Sequence, residues 1–298
     1  MKVSKRPEHF WVGINGKASG DHALRQAISI ARWLHAEVTA VAVTPLFEGD
    51  LGLITTGSVR NELYKDVERS LLRALDIAGI HGFPVHIAAA GGEIGDQLDR
   101  KAASLPQQGW MIIGASPTLS AAKWLAGSAL YDVVRQASRP VLILPKGTLL
   151  AGDTVWIDGG GMHRASWGNL LDGWFEEAIE VATLFGPDHL LVSYPNDVVD
   201  RRLPQWVRSI LQDHRIDITA PDTHSPLSIA AECFHYIHPK EKWDAVHQRK
   251  PAFVVVPQPI FPKRRLSMAA WYIERMIRML PCPLLILPRS STKWASKD

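Results

Sequence analysis

The chain has 298 residues, 46% hydrophobic and 21% charged, a balance that supports a packed core and room for two domains of about 150 residues each. Its net charge of +3 comes without a Lys/Arg-dense block, which argues against a nucleic-acid partner; Lys263-Arg264-Arg265 and Arg201-Arg202 read as solvated helix starts. Cys233 and Cys282 fall in no metal-ligand spacing and read as reduced, buried thiols, the basic N-terminus lacks the apolar core of a signal peptide, and Pro106, Gln107, Gln108 and Pro117 interrupt the uncharged stretch around them, so the expected location is the cytoplasm with no membrane partner.

In chain order, Trp11 to Ile14 reads as a short buried strand. Leu24, Ala27, Ile28, Ala31 and Leu34 follow helical spacing from about Asp21 to Leu34. Val38 to Val43 is a β-branched strand, and the Gly-containing stretch Thr44 to Ser58 reads as a loop. Leu63, Val67, Leu71, Leu72 and Leu75 make the next helix face, which ends near Gly79. Pro84 to Ala88 is a third strand, Gly91-Gly92 a turn, and Ile94 to Leu105 a third helix. Trp110 to Ile113 and Val141 to Leu144 are the fourth and fifth strands, with a glycine-bearing loop and a helix between them. Strands alternating with helices imply a parallel sheet covered on both faces, doubly wound by right-handed crossovers.

The second half repeats this plan. Val12-Gly13-Ile14-Asn15-Gly16 lies over Val155-Trp156-Ile157-Asp158-Gly159, and Pro140-Val141-Leu142-Ile143-Leu144-Pro145 lies over Pro283-Leu284-Leu285-Ile286-Leu287-Pro288 at the same offset. Its elements are strand Thr154 to Ile157, a helix near Leu170 to Leu184, strand His189 to Tyr194 and a helix near Pro204 to Gln212. Strand Ile216 to Thr219 follows, then a helical region from Leu227 to His247, strand Phe253 to Val256, helix Leu266 to Met279 and strand Leu284 to Leu287. The expected fold is therefore α/β, two tandem doubly wound Rossmann-like domains of five parallel strands each, spanning 1–148 and 149–298.

The stretch from Met111 to Pro145 organises the first domain. An apolar strand stops at Gly114, and Gly127-Ser128 stands just before a helix, where unpaired N–H groups and the positive end of the helix dipole attract a phosphate. With the repeats laid out, both halves resemble the universal stress protein family. Its ATP-binding members carry Gly-x2-Gly-x9-Gly-Ser/Thr after the fourth strand, and Gly114, Pro117, Gly127 and Ser128 reproduce that spacing with one departure. The resemblance implies a nucleotide site formed by Asn15, Gly16, Val43, Gly114, Pro117, Gly127, Ser128 and Ala129. Asn15 stands where the family's first strand ends in an Asp, and Val43 would lie against the adenine or ribose.

Pro117 has no N–H and a fixed φ, so the first half loses one hydrogen bond to a charged oxygen, a cost of about 1.5–3 kcal/mol. That weakens binding roughly ten- to a hundredfold. In the second half Pro257, Ile260, Ala270 and Trp271 replace the motif, and no nucleotide is expected there although Asp158 retains the acid.

Other signals have ordinary readings. Gly13-x-x-Gly16-Lys17-x-Ser19 lacks the spacing of a P-loop. His163, His224, His235 and His238 read as solvent-facing, even though Glu232, His235 and His238 share a spacing that would place them on one helix face. Trp167, Trp174, Trp206, Trp243 and Trp271 read as core or interface. Ser128 has no sequence-local base, and no catalytic or metal-ligand set emerges. By resemblance the chain is a stress-response binding or signalling module with weak ATP binding in the N-terminal domain only, rather than an enzyme. It would pair its domains through Val141 to Leu144 and Leu284 to Leu287 as an intrachain pseudo-dimer, or pair between chains as a homodimer. The rival readings are a slow ATPase or nucleotide-processing enzyme, and a sensor of a non-nucleotide small ligand in the C-terminal domain.

Overall fold

A computed structural model of the chain describes residues 6–44, 56–104, 109–116, 129–150, 152–159, 170–195, 205–214, 216–218, 230–236, 248, 250–258, 276 and 282–288. These residues fall into two compact units. One takes in Arg6–Thr148 together with Met276; the other takes in Leu149–Gln258 and the strand Leu284–Leu287. Both are parallel α/β sheets, and none of the described helices is long and apolar enough to cross a membrane.

The first unit is built from β1 (His9–Ile14), α1 (Ala18–Leu34), β2 (Glu37–Thr44), α2 (Thr56–His81) and β3 (His86–Gly91), followed by α3 (Ile94–Ser104), β4 (Gly109–Ala115), α4 (Ala129–Gln136) and β5 (Val141–Pro145). Its strands lie in the order β3-β2-β1-β4-β5, all parallel. The central strand β1 is covered on both faces, which explains its unbroken apolar run: Phe10 and Val12 are fully buried, and Phe10 meets Trp110 edge to face at 6.0 Å. Burying a side chain of that size contributes about 1.5–3 kcal/mol. Helix α1 buries Leu24, Ala27, Ile28, Ala31 and Leu34, the residues that its periodicity selects.

Helix α2 corrects the expectation. Its buried face is Ser70, Ala74, Ile77 and Ala78, while Leu72 and Leu75 are 55% and 42% exposed. Small side chains let the helix lie close to β2, and the longer leucines fall on the outer side. The helix also starts at Thr56, inside the stretch read as a loop; residues 45–55 of that stretch lie outside the described residues. Strand β3 runs two residues later than expected and takes Gly91 into the strand, leaving Gly92, with φ of 128°, to make the turn.

In the second unit β6 (Thr154–Asp158), α5 (Leu170–Thr183), β7 (His189–Pro195), α6 (Gln205–Asp213), β8 (Asp217–Ile218), β9 (Ala230–Tyr236), β10 (Phe253–Pro257) and β11 (Leu284–Leu287) form a parallel sheet ordered β11-β10-β6-β7-β9-β8. The series β11-β10-β6-β7 repeats the series β5-β4-β1-β2. Beyond it the two units part: β9 inserts beside β7 and moves the two-residue β8 to the edge. The region Leu227 to His247 was expected to be helical, and its described core is instead this strand. Glu232 and His235 therefore lie in a strand rather than on the expected helix, and His238 lies outside the described residues. Of the tryptophans read as core or interface, Trp174 is buried, while Trp167, Trp243 and Trp271 lie outside the described residues; Trp156 is buried as well. Cys282 is a free, buried thiol; Cys233 lies in β9. The expected helix Leu266 to Met279 lies outside the described residues except for Met276.

Candidate functional site

In an open parallel sheet, ligands settle at the carboxyl ends of the strands where the winding direction reverses. In the first unit that point lies between β1 and β4, because the chain winds from β1 toward β2 and β3 on one side and from β4 to β5 on the other. Register sets the level of each residue there. Ile14 pairs with Ala42 and Gly13 with Ile113, so Asn15, Val43 and Gly114 all sit at the carboxyl edge. Asn15 and Gly16 are exposed and Val43 is half-buried.

The backbone around Asn15 is tightly specified. Its side-chain oxygen Oδ1 accepts the Lys17 N–H at 3.1 Å, an Asx turn that carries the chain out of β1. Gly16 adopts φ of +67°, and a Cβ there would stand 2.9 Å from the Ser70 hydroxyl of α2. Only glycine satisfies both conditions. Helix α1 follows at once, and its N-cap residue, Lys17, makes no side-chain cap hydrogen bond. The first turn of α1 therefore presents backbone N–H groups at the sheet edge without a capping side chain, and the exposed Lys17 adds a positive charge. Asp21, buried in that turn, is held by Arg73 of α2 at 2.5 Å, so α1 is tied at its start.

Gly114 has a stronger requirement than the motif suggests. A Cβ on it would lie 1.9 Å from the Ser19 carbonyl oxygen and 3.0 Å from the Gly20 N–H. The glycine is thus demanded by the start of α1, which rests directly on the end of β4. Sequence spacing alone presents Gly114 as a place for a phosphate; the structure shows it as a joint between a strand and a helix.

Helix α4 begins at Ala129, immediately after Gly127-Ser128. Two contacts aim it. Gly95 of α3 lets the Asp132 backbone come close, since a Cβ there would meet the Asp132 carbonyl carbon at 2.9 Å. At the other end Asp99 accepts hydrogen bonds from the Ser138 N–H and hydroxyl, both at 2.7 Å. Pro117, Gly127 and Ser128 lie outside the described residues. Of the predicted set, the structure brings Asn15, Gly16, Val43 and Gly114 to one edge and places Ala129 at the head of α4. Sequence reasoning named Lys17 only in a turn without P-loop spacing, and passed over Gly95, a glycine inside an otherwise helical pattern.

The second unit offers a contrasting edge. Asp158 at the end of β6 is completely buried. Its Oδ1 accepts the Ser193 hydroxyl at 2.7 Å, and Ser193 Oγ accepts the Trp156 indole N–H at 2.9 Å. Pro257, at the end of β10, is buried as well.

Residues 8–145 match the model of the universal stress protein family, a little under half of the chain. No curated protein matches. Among solved structures, a universal stress protein from Archaeoglobus fulgidus superposes with a TM-score of 0.66 at 15% identity, covering 95% of this chain and 97% of that one. A functionally unknown protein from Pseudomonas aeruginosa PAO1 superposes with a TM-score of 0.55 at 14% identity, covering 97% and 95%. At such identities the likeness concerns the fold. The family match and the parallel sheet that carries it agree on one conclusion: residues 8–145 are a universal stress protein domain.

Proposed function

We propose that the chain is a tandem universal stress protein that works as a stress-response binding module, and that its first unit holds a nucleotide such as ATP weakly at the carboxyl edge of β1 and β4. The observation that carries this reading is the convergence at one edge of the uncapped first turn of α1, the exposed Asn15 and Lys17, and the half-buried Val43. Backbone N–H groups and a lysine suit a phosphate, Asn15 suits a ribose hydroxyl, and Val43 suits a base or sugar face. Three features keep the affinity low: Pro117 in place of a glycine, the neutral Asn15, and Asp132 in the first turn of α4. The second unit is the partner domain without nucleotide, because its acid, Asp158, is already engaged by Ser193.

Calorimetric titration of the full chain with ATP tests the reading. One site of weak affinity is expected, lost in Gly127→Val and weakened about tenfold or more in Lys17→Glu. Asn15→Asp is expected to tighten it several-fold by restoring a charged acceptor. A chain that takes up no ATP at millimolar concentration, or whose binding ignores Lys17→Glu and Gly127→Val, removes the nucleotide reading.

A further inference from the structure

The helices of the second unit hold a group of side chains that the nucleotide reading does not use. Glu176 and Glu180 stand one turn apart on α5 and so on the same helix face. Helix α6 ends at Asp213, and the chain is closed there by two backbone bonds, His214 N–H to the Ile210 carbonyl at 3.2 Å and Ile216 N–H to the Leu211 carbonyl at 2.9 Å. That closure fixes where His214 leaves the helix. One carboxylate oxygen from each glutamate and one imidazole nitrogen of His214 lie within 4.8 Å of one another, and all three residues are half-buried.

Two ligand atoms on a tetrahedral zinc ion stand about 3.4 Å apart, given metal–ligand bonds of about 2.0–2.2 Å. The three donors, already within 4.8 Å of one another, stand no more than about 1.4 Å from that spacing. Two carboxylates supply the negative charge that neutralises a divalent cation held between them. The imidazole decides the class of metal. Mg2+ and Ca2+ favour all-oxygen shells, whereas a nitrogen donor beside carboxylates suits Zn2+ and its neighbours in the first transition row. We infer that Glu176, Glu180 and His214 form a binding site for a divalent transition metal ion of the zinc class. Three protein ligands leave a fourth position for water or an exchangeable small ligand. The ion would also clip α5 to α6 and stabilise the folded unit by mass action. Sequence gave no sign of the site, since His214 lies outside the Glu-x3-Glu pair and meets it only through helix packing.

The test uses the full chain, stripped with a chelator and titrated with Zn2+ against a chromophoric competitor, with the melting temperature followed in parallel. One equivalent is expected to bind and to raise the melting temperature, with no such effect from Mg2+ at the same concentration. Glu180→Gln and His214→Ala should each weaken the zinc affinity at least tenfold, while Glu177→Gln, one residue outside the set, should leave it at the wild-type value. Because the chain has 12 histidines, binding elsewhere is the rival outcome. Zinc uptake that persists in the Glu176→Gln/Glu180→Gln/His214→Ala variant, an equal response to Mg2+, or no uptake at all overturns the site. Should His214→Ala fail to fold, as judged by far-UV circular dichroism, the isosteric Glu180→Gln decides alone.

Discussion

The carboxyl edges of the two sheets start from the same strand arrangement and end in opposite conditions. In the first unit, Gly114 stands one residue before the end of β4 with the start of α1 resting on its bare backbone, and an exposed Asn15 follows β1. In the second, β10 ends in the buried Pro257, and β6 ends in Asp158, sealed beneath Ser193 and Trp156. Keeping an edge open depends on leaving out side chains as much as on supplying polar ones. The first edge keeps its backbone groups and a lysine toward solvent; the second spends its one acid on an internal network.

The largest effect expected from breaking this contrast is at Gly114. Gly114→Val drives a side chain into the Ser19 carbonyl and should cost at the upper end of about 1–3 kcal/mol or beyond, read as a fall in the urea midpoint. Pro257→Val replaces one side chain by another and should cost clearly less. Next comes the acid. Asp158→Ala strands the buried Ser193 hydroxyl and should destabilise by about 1–3 kcal/mol, whereas Asn15→Ala removes only the exposed Asx-turn bond and should stay within about 0.5 kcal/mol. Equal losses at the two positions would mean that the second edge is not sealed as described.

A smaller difference should appear with pH. His9, at the buried start of β1, bonds to Thr39 at 2.8 Å and Glu37 at 3.2 Å, and burial lowers its pKa from 6.5 in spite of the opposing pull of Glu37. The folded state then binds the proton more weakly than the unfolded chain does. Stability is full above about pH 6.5 and falls as the pH drops below it, toward and through the lowered folded value. Strand β6 has no histidine, so at pH 5.5 the protection of the β1 and β2 amides, corrected for the intrinsic exchange rate at that pH, should fall before that of the β6 amides does. His9→Gln should flatten that response. The smallest signal is kinetic: burial pushes the Cys282 thiol up to about 12, so alkylation at pH 8 should proceed only at the rate at which its surroundings open.

Strands were the most legible feature of the sequence. Four-residue apolar runs such as Val141 to Leu144 and Leu284 to Leu287 sit in β5 and β11 because both faces of a parallel strand are covered. Helix α1 was legible because large residues mark its buried face. Helix α2 was less so, because Ser70, Ala74, Ile77 and Ala78 make its buried face while Leu72 and Leu75 lie outside, so the expected apolar face was turned partly away from the core. Strand β9 was misread because its short mixed run, Ala-Ala-Glu-Cys-Phe-His-Tyr, satisfies a helical period as well as an alternating one. At the candidate site, Gly114 was found for a partial reason. The contact that requires it comes from Ser19, far away in sequence, and no local pattern records such a contact.

That joint between β4 and α1 limits how this edge can be re-engineered. A library that randomises position 114 will return glycine from every folded clone whatever ligand is selected, and would read as strong ligand preference where there is only steric exclusion. Diversity meant to change what the edge holds belongs at Asn15 and Lys17, which are exposed to solvent.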